Sequence, residues 1–142
     1  MAVKTGRKLD VEARVDATTK PSILVAEDNV INQKLAELLF KNLNLTITIA
    51  NNGKEAVNAV LGQSFDMVLM DIQMPQMTGI EATQALKEEL GDLAPPIVAL
   101  TANALPGDRE RFMEAGLDHY MTKPIDFEEL KALVKELTLY QP

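Results

Sequence analysis

Three short apolar runs and one short mixed run in this chain each lead to residues that can do chemistry. Ile23-Leu24-Val25-Ala26 ends in two carboxylates, Glu27 and Asp28, and Met67-Val68-Leu69-Met70 ends in Asp71. Ile97-Val98-Ala99-Leu100 ends in Thr101, and His119-Tyr120-Met121-Thr122 ends in Lys123. Apolar runs of that length, bounded by turn signals, read as strands. In open parallel sheets, ligands collect just beyond the carboxyl ends of the strands. Three carboxylates brought together there repel one another by about 3 kcal/mol per pair, taking ~5 Å and an effective dielectric of ~20. A raised pKa or a bound cation relieves that strain. A hard, oxygen-ligated divalent ion fits best, Mg²⁺ or Mn²⁺ in its place. Lys123 alone cannot balance three negative charges. A carboxylate, a metal, an ammonium and a hydroxyl around one point are the parts needed for phosphoryl transfer, which depends on positioning and charge neutralisation.

The elements that must hold these residues follow from periodicity and punctuation. Asn29 can cap a helix in which Ile31, Leu35, Leu38 and Leu39 recur at helical spacing, closed by Asn42 to Asn44. Thr46-Ile47-Thr48-Ile49-Ala50 alternates as a strand, and Asn51-Asn52-Gly53 turns the chain. Ala56, Val57, Val60 and Leu61 mark a second helix stopped by Gly62, and a third runs from Gly79 to Leu90. A fourth starts near Pro106 and ends at Gly116, and Asp126 caps a fifth with Phe127, Leu130, Val134 and Leu137 inward. Five strands alternating with five helices predict an α/β fold, a doubly wound parallel sheet of flavodoxin-like (βα)5 type with strand order 2-1-3-4-5. That order sets strands one, three, four and five side by side, so their polar ends share one edge.

Composition bounds the remaining possibilities. A length of 142 residues with 46% hydrophobic content suits one folded domain with a core of its own. Cys is absent, which excludes disulfides and thiolate metal sites. No apolar run approaches the roughly 20 residues of a membrane helix, and the chain opens without a signal-peptide core. A cytoplasmic domain is expected, with no membrane contact of its own. Net charge is −7, and its distribution is uneven. Residues 1–20 carry five bases (Lys4, Arg7, Lys8, Arg14, Lys20) and three acids (Asp10, Glu12, Asp16), leaving −9 on the rest. An acidic body argues against direct nucleic-acid binding. Residues 1–20 lack hydrophobic periodicity and read as a disordered linker or leader, with the domain over 21–140.

These motifs, in this order, resemble a response-regulator receiver domain of two-component signalling over roughly residues 22 to 139. The resemblance rests on Glu27-Asp28, Asp71 within Met70-Asp71-Ile72-Gln73-Met74-Pro75, Gly79, Thr101-Ala102, Tyr120 and Lys123-Pro124. Glu27-Asp28-Asn29 followed by Asn32-Gln33 is similar to receivers fused to hybrid sensor histidine kinases more than to free-standing ones; a stand-alone single-domain response regulator is the alternative. The resemblance implies that Asp71 is the nucleophile, taking a phosphoryl group from the phosphohistidine of a histidine kinase or histidine phosphotransfer domain. It implies that Asp28 and Asp71 ligate Mg²⁺ directly, with the Gln73 carbonyl as a further ligand and Glu27 acting through water. Lys123 would stabilise phosphoryl charge, beside the Thr101 hydroxyl and the Ala102 N–H. Thr101 and Tyr120 would form the switch, and the Lys123–Pro124 bond would be cis. The domain would lack a kinase core of its own, label and unlabel itself, and act as a monomer or as a weak dimer formed on phosphorylation.

Rival readings each miss a feature. A haloacid-dehalogenase-like phosphatase also uses a nucleophilic Asp with Mg²⁺, but it wants a second acid two residues on, where this chain has Gln73. A flavodoxin-like cofactor binder needs a phosphate-cradling loop, and no Gly-rich loop follows the first strand. His119, the sole histidine, reads as an ordinary edge-strand residue. Gln73 and Asn103 flank the expected site and would tune water access. Val30 and Ile31 open the first helix together, and one face cannot easily bury both; an apolar residue there could meet a helical phosphotransfer partner.

Overall fold

A computed structural model describes residues 20–102 and 104–138. Apart from Lys20, the linker read over residues 1–20 lies outside them, as does Asn103. Five parallel strands run β1 (Ser22–Ala26), β2 (Thr46–Ala50), β3 (Met67–Asp71), β4 (Ile97–Thr101) and β5 (His119–Thr122), in the order 2-1-3-4-5. Between and after them come α1 (Val30–Asn42), α2 (Gly53–Gly62), α3 (Gly79–Leu90), α4 (Asp108–Ala115) and α5 (Phe127–Thr138). No helix among the described residues is long and apolar enough to cross a membrane.

The central strands β1, β3 and β4 are apolar through most of their length because both sheet faces are covered. Successive residues point to opposite faces. Leu24, Ala26, Val68, Met70, Ile97 and Ala99 face a core closed by α2, α3 and α4. Ile23, Val25, Met67, Leu69, Val98 and Leu100 face a second core closed by α1 and α5. The central strands β1, β3 and β4 are almost wholly buried, whereas the edge strand β2 is only partly so.

Helix ends follow the side chains that satisfy their free N–H groups. Asn29 Oδ1 accepts from Asn32 N at 3.0 Å, and Asp126 Oδ1 accepts from Glu129 N at 2.9 Å, as the sequence suggested. Thr78 and Glu81 form a reciprocal capping box at the start of α3. Beyond α4, Gly116 adopts φ +104°, a conformation that favours glycine.

The apolar spacing in α1 locates the helix but not its buried face. Ile31, Leu35 and Leu38 are 70%, 51% and 61% exposed, and Leu39 is only half-buried. Ala36 and Phe40 face the core instead, followed by Leu43 just past the helix. An outward apolar stripe is therefore left on α1. On the opposite flank of the same core, α5 leaves the carboxyl edge of the sheet after Lys123 and packs back along it through Leu130, Leu133 and Val134.

Candidate functional site

The parallel register puts the expected residues on one edge. Asp71 is the last residue of β3 and pairs in register with Leu100, so Thr101 lies one residue further along β4. Lys123 follows β5, tied to β4 by its N–H donating to the Thr101 carbonyl at 2.9 Å. The Lys123–Pro124 bond is cis. Glu27 continues β1 by one rung, its N–H donating to the Ala50 carbonyl at 2.9 Å.

An ammonium joins two buried carboxylates at this edge. Lys123 Nζ lies 2.8 Å from Glu27 Oε1 and 2.9 Å from Asp71 Oδ2. Glu27 and Asp71 are 3% and 4% exposed, whereas Asp28 stands in solvent. One carboxylate oxygen from each of Glu27, Asp28 and Asp71 falls within 4.8 Å of the others. Gln73 N donates to Asp71 Oδ1 at 3.0 Å, and Asn29 N donates to Glu27 Oε2 at 3.1 Å.

The two buried acids are driven in opposite directions. Burial dominates at Asp71 and pushes its pKa up to about 6; the Glu27 charge adds to the rise, and Lys123 and the Gln73 N–H oppose it. Burial also works against the Glu27 carboxylate, but bonds from Lys123 and the Asn29 N–H outweigh it, so its pKa falls below the usual carboxylate value. Burial likewise disfavours the Lys123 charge, and the two carboxylates more than compensate, raising its pKa. The donor set is all oxygen and carries more negative charge than Lys123 can neutralise, which fits a hard divalent cation.

Other residues support the edge without joining the cluster. Gly79 N donates to the Ile72 carbonyl at 3.0 Å, and a Cβ at position 79 would fall 2.2 Å from the Asp71 carbonyl oxygen. Only glycine lets α3 approach the Asp71 backbone so closely. Ala102 is exposed at the end of β4, and the Gln73 side chain is exposed beside Asp71. Tyr120 pairs in register with Ala99 and is 38% exposed, its ring centroid 5.9 Å from that of Phe112 on α4. His119 lies at the start of β5, with Nε2 3.4 Å from Glu136 Oε2. An apolar cleft of about 330 Å³ opens between α1 and the segment after β5, lined by Leu35, Leu38, Leu39, Pro124 and Ile125 and reaching Glu27 and Lys123.

Two polar residues near the acidic pair had no role from spacing alone. Gln33 Nε2 donates to the Glu27 carbonyl at 2.6 Å and to Asn51 Oδ1 at 2.9 Å. The contact joins residues 18 positions apart, from the first turn of α1 to the β2–α2 loop, beyond the reach of any local pattern.

Known proteins resemble the chain in both sequence and structure. The family model described as "Response regulator receiver domain" matches residues 23–135. Hybrid signal transduction histidine kinase I of Dictyostelium discoideum is 46% identical over 113 residues, which is 73% of this chain and 6% of that protein. Two-component response regulator 24 of Arabidopsis thaliana is 36% identical over 125 residues, 87% of this chain and 88% of that protein. The receiver domain of sensor histidine kinase PA1611 from Pseudomonas aeruginosa PAO1, solved with magnesium in its active-site cleft, superposes with a TM-score of 0.77 at 35% identity; 84% of this chain and 98% of that one are covered. The receiver domain of Saccharomyces cerevisiae Ssk1, solved with the histidine phosphotransfer protein Ypd1, gives a TM-score of 0.79 at 29% identity over 84% and 90% of the two chains. The chain spans 6% and 13% of the length of the first two curated relatives it matches, the Dictyostelium discoideum kinase and sensor protein GacS of Pseudomonas syringae pv. syringae. With the family model matched from β1 into α5 and the fold superposing on a solved receiver domain, the chain belongs to the response regulator receiver domain family.

Proposed function

We propose that Asp71 is the phosphoacceptor of a His–Asp phosphorelay. The observation that carries the reading is the bridge from Lys123 Nζ to Asp71 Oδ2 and Glu27 Oε1, with Asp28 in the same cluster. An Asp71 carboxylate oxygen attacks phosphorus, the N–P bond of the phosphohistidine breaks, and its electron pair returns to the imidazole, leaving an aspartyl phosphate. Asp28, Asp71 and the Gln73 carbonyl would hold Mg²⁺, or Mn²⁺ in its place, with Glu27 acting through water. The ion's chemistry is to neutralise phosphoryl oxygens. Lys123 pairs with one of those oxygens, and the Thr101 hydroxyl and Ala102 N–H serve another. Movement of Thr101 toward the phosphoryl group and of Tyr120 inward then changes the surface that partners meet.

The exposed stripe of Val30, Ile31, Leu35 and Leu38 supports docking of a helical phosphohistidine donor beside the site. We read the folded unit as residues 21–140, preceded by a linker over 1–20, acting in the cytoplasm within a hybrid sensor histidine kinase. It works as a monomer, or as a weak dimer once phosphorylated. Intact mass after incubation with Mg²⁺ and acetyl phosphate tests the acceptor, wild type beside Asp71→Asn. One added phosphoryl group in wild type alone is the expected result. Labelling retained in Asp71→Asn would remove the assignment, and sustained donor hydrolysis without an adduct would point to very fast self-dephosphorylation or to a phosphatase.

A further inference from the structure

We infer that Gln33 is a positioning residue for the acidic pair, setting the Glu27–Asp28 peptide from which both carboxylates project. The inference rests on the reading of that pair as the metal-binding carboxylates. The β1–β2 ladder ends when Glu27 N donates to the Ala50 carbonyl. The next acceptor, the Glu27 carbonyl, lies past the end of β2, and Gln33 Nε2 serves it at 2.6 Å. The second hydrogen of the same NH₂ group goes to Asn51 Oδ1 at 2.9 Å.

One carboxylate fixes the direction of this whole relay. Glu55 Oε1 accepts from Asn51 N at 2.9 Å and from Asn51 Nδ2 at 3.0 Å. An ionised carboxylate only accepts, so the Asn51 NH₂ must face Glu55 and its oxygen must face Gln33. Gln33 must then present its NH₂, which has one hydrogen left for the Glu27 carbonyl. The Asn51 N–H groups hold the Glu55 pKa below the usual value, so the carboxylate stays ionised at neutral pH.

The mechanical consequence falls on Asp28. The Glu27 side chain is clamped by Lys123 and the Asn29 N–H. Asp28 is exposed, so its direction depends chiefly on the peptide that carries it. Holding the Glu27 carbonyl holds that peptide plane, braced by one strut from α1 through Asn51 to α2. Partners behind a metal's direct ligands typically change affinity by about 10–100-fold when removed.

Calorimetric titration of the full chain with Mg²⁺ tests the strut in wild type, Gln33→Leu and Gln33→Lys. Leucine keeps the helix propensity of glutamine but donates nothing. It should weaken Mg²⁺ binding about tenfold and, in the metal-free protein, broaden or shift the Asp28 amide resonance. Lysine restores a donor facing two acceptors, and should recover most of the affinity and the resonance. Equal affinity in wild type and Gln33→Leu would overturn the inference, as would a loss that Gln33→Lys fails to restore. A wild type that binds no Mg²⁺ would instead remove the metal-binding reading itself, and the inference with it.

Discussion

Asp66 and Asp71 stand on either end of one strand and are both almost wholly buried, yet they serve different ends. Asp66 Oδ2 accepts from Ser22 N at 2.7 Å, joining β1 and β3 at the edge away from the site, and Asp118 Oδ2 does likewise for Ile97 N at 2.8 Å. Asp71 faces a second carboxylate and a lysine, and burial raises its pKa to about 6. Because the folded value lies above the ordinary one, stability from this group is full below about pH 4 and is lost as pH rises through about 6. Metal-free Asp71→Asn should therefore exceed wild type at pH 7 by up to roughly 3 kcal/mol in urea unfolding, with the gap closing toward pH 4. Lys123→Ala should still bind Mg²⁺ by calorimetry, while the Tyr120 resonances no longer move on phosphorylation. Glu27, Asp28, Asp71 and Thr101 were legible because each ends or follows a strand of plain apolar or β-branched character, and Lys123 because it closes the last short strand before Pro124. Gln33 and Asn51 were not, since their roles arise from a contact between α1 and the β2–α2 loop that no local spacing encodes.

Helix α1 carries two apolar stripes, and the core takes only one. Ala36 and Phe40, followed by Leu43, lie over the sheet, while Ile31, Leu35 and Leu38 lie outside. Periodicity identifies such a helix but does not choose between stripes; the choice falls to packing against β1, β3 and α5, which the sequence does not display. Phe40→Ala should cost about 3–5 kcal/mol in urea unfolding, while Leu38→Ala should stay within about 0.5 kcal/mol. In contrast, Leu35→Ser with Leu38→Ser should leave labelling by acetyl phosphate unchanged. Transfer from a phosphorylated histidine phosphotransfer protein should slow at least tenfold, the scale expected when apolar anchors leave an interface.

Across the whole molecule, the alternation of strands and helices made a parallel sheet legible, and right-handed crossovers narrowed its order to few choices. The order 2-1-3-4-5 then brings β1, β3, β4 and β5 together and gathers their polar ends. A cation that binds only the folded edge must stabilise the entire domain. Mg²⁺ at a hundred times its dissociation constant should add about 2.7 kcal/mol to unfolding, reversed by a chelator. The return of α5 along the sheet has a different consequence. Twelve helical residues span about 18 Å, close to the roughly 16 Å of a five-residue strand. The end of α5 therefore comes back to the side where Ser22 begins β1, opposite Asp71. The two ends of the described residues, Lys20 and Thr138, therefore both lie behind the reaction centre.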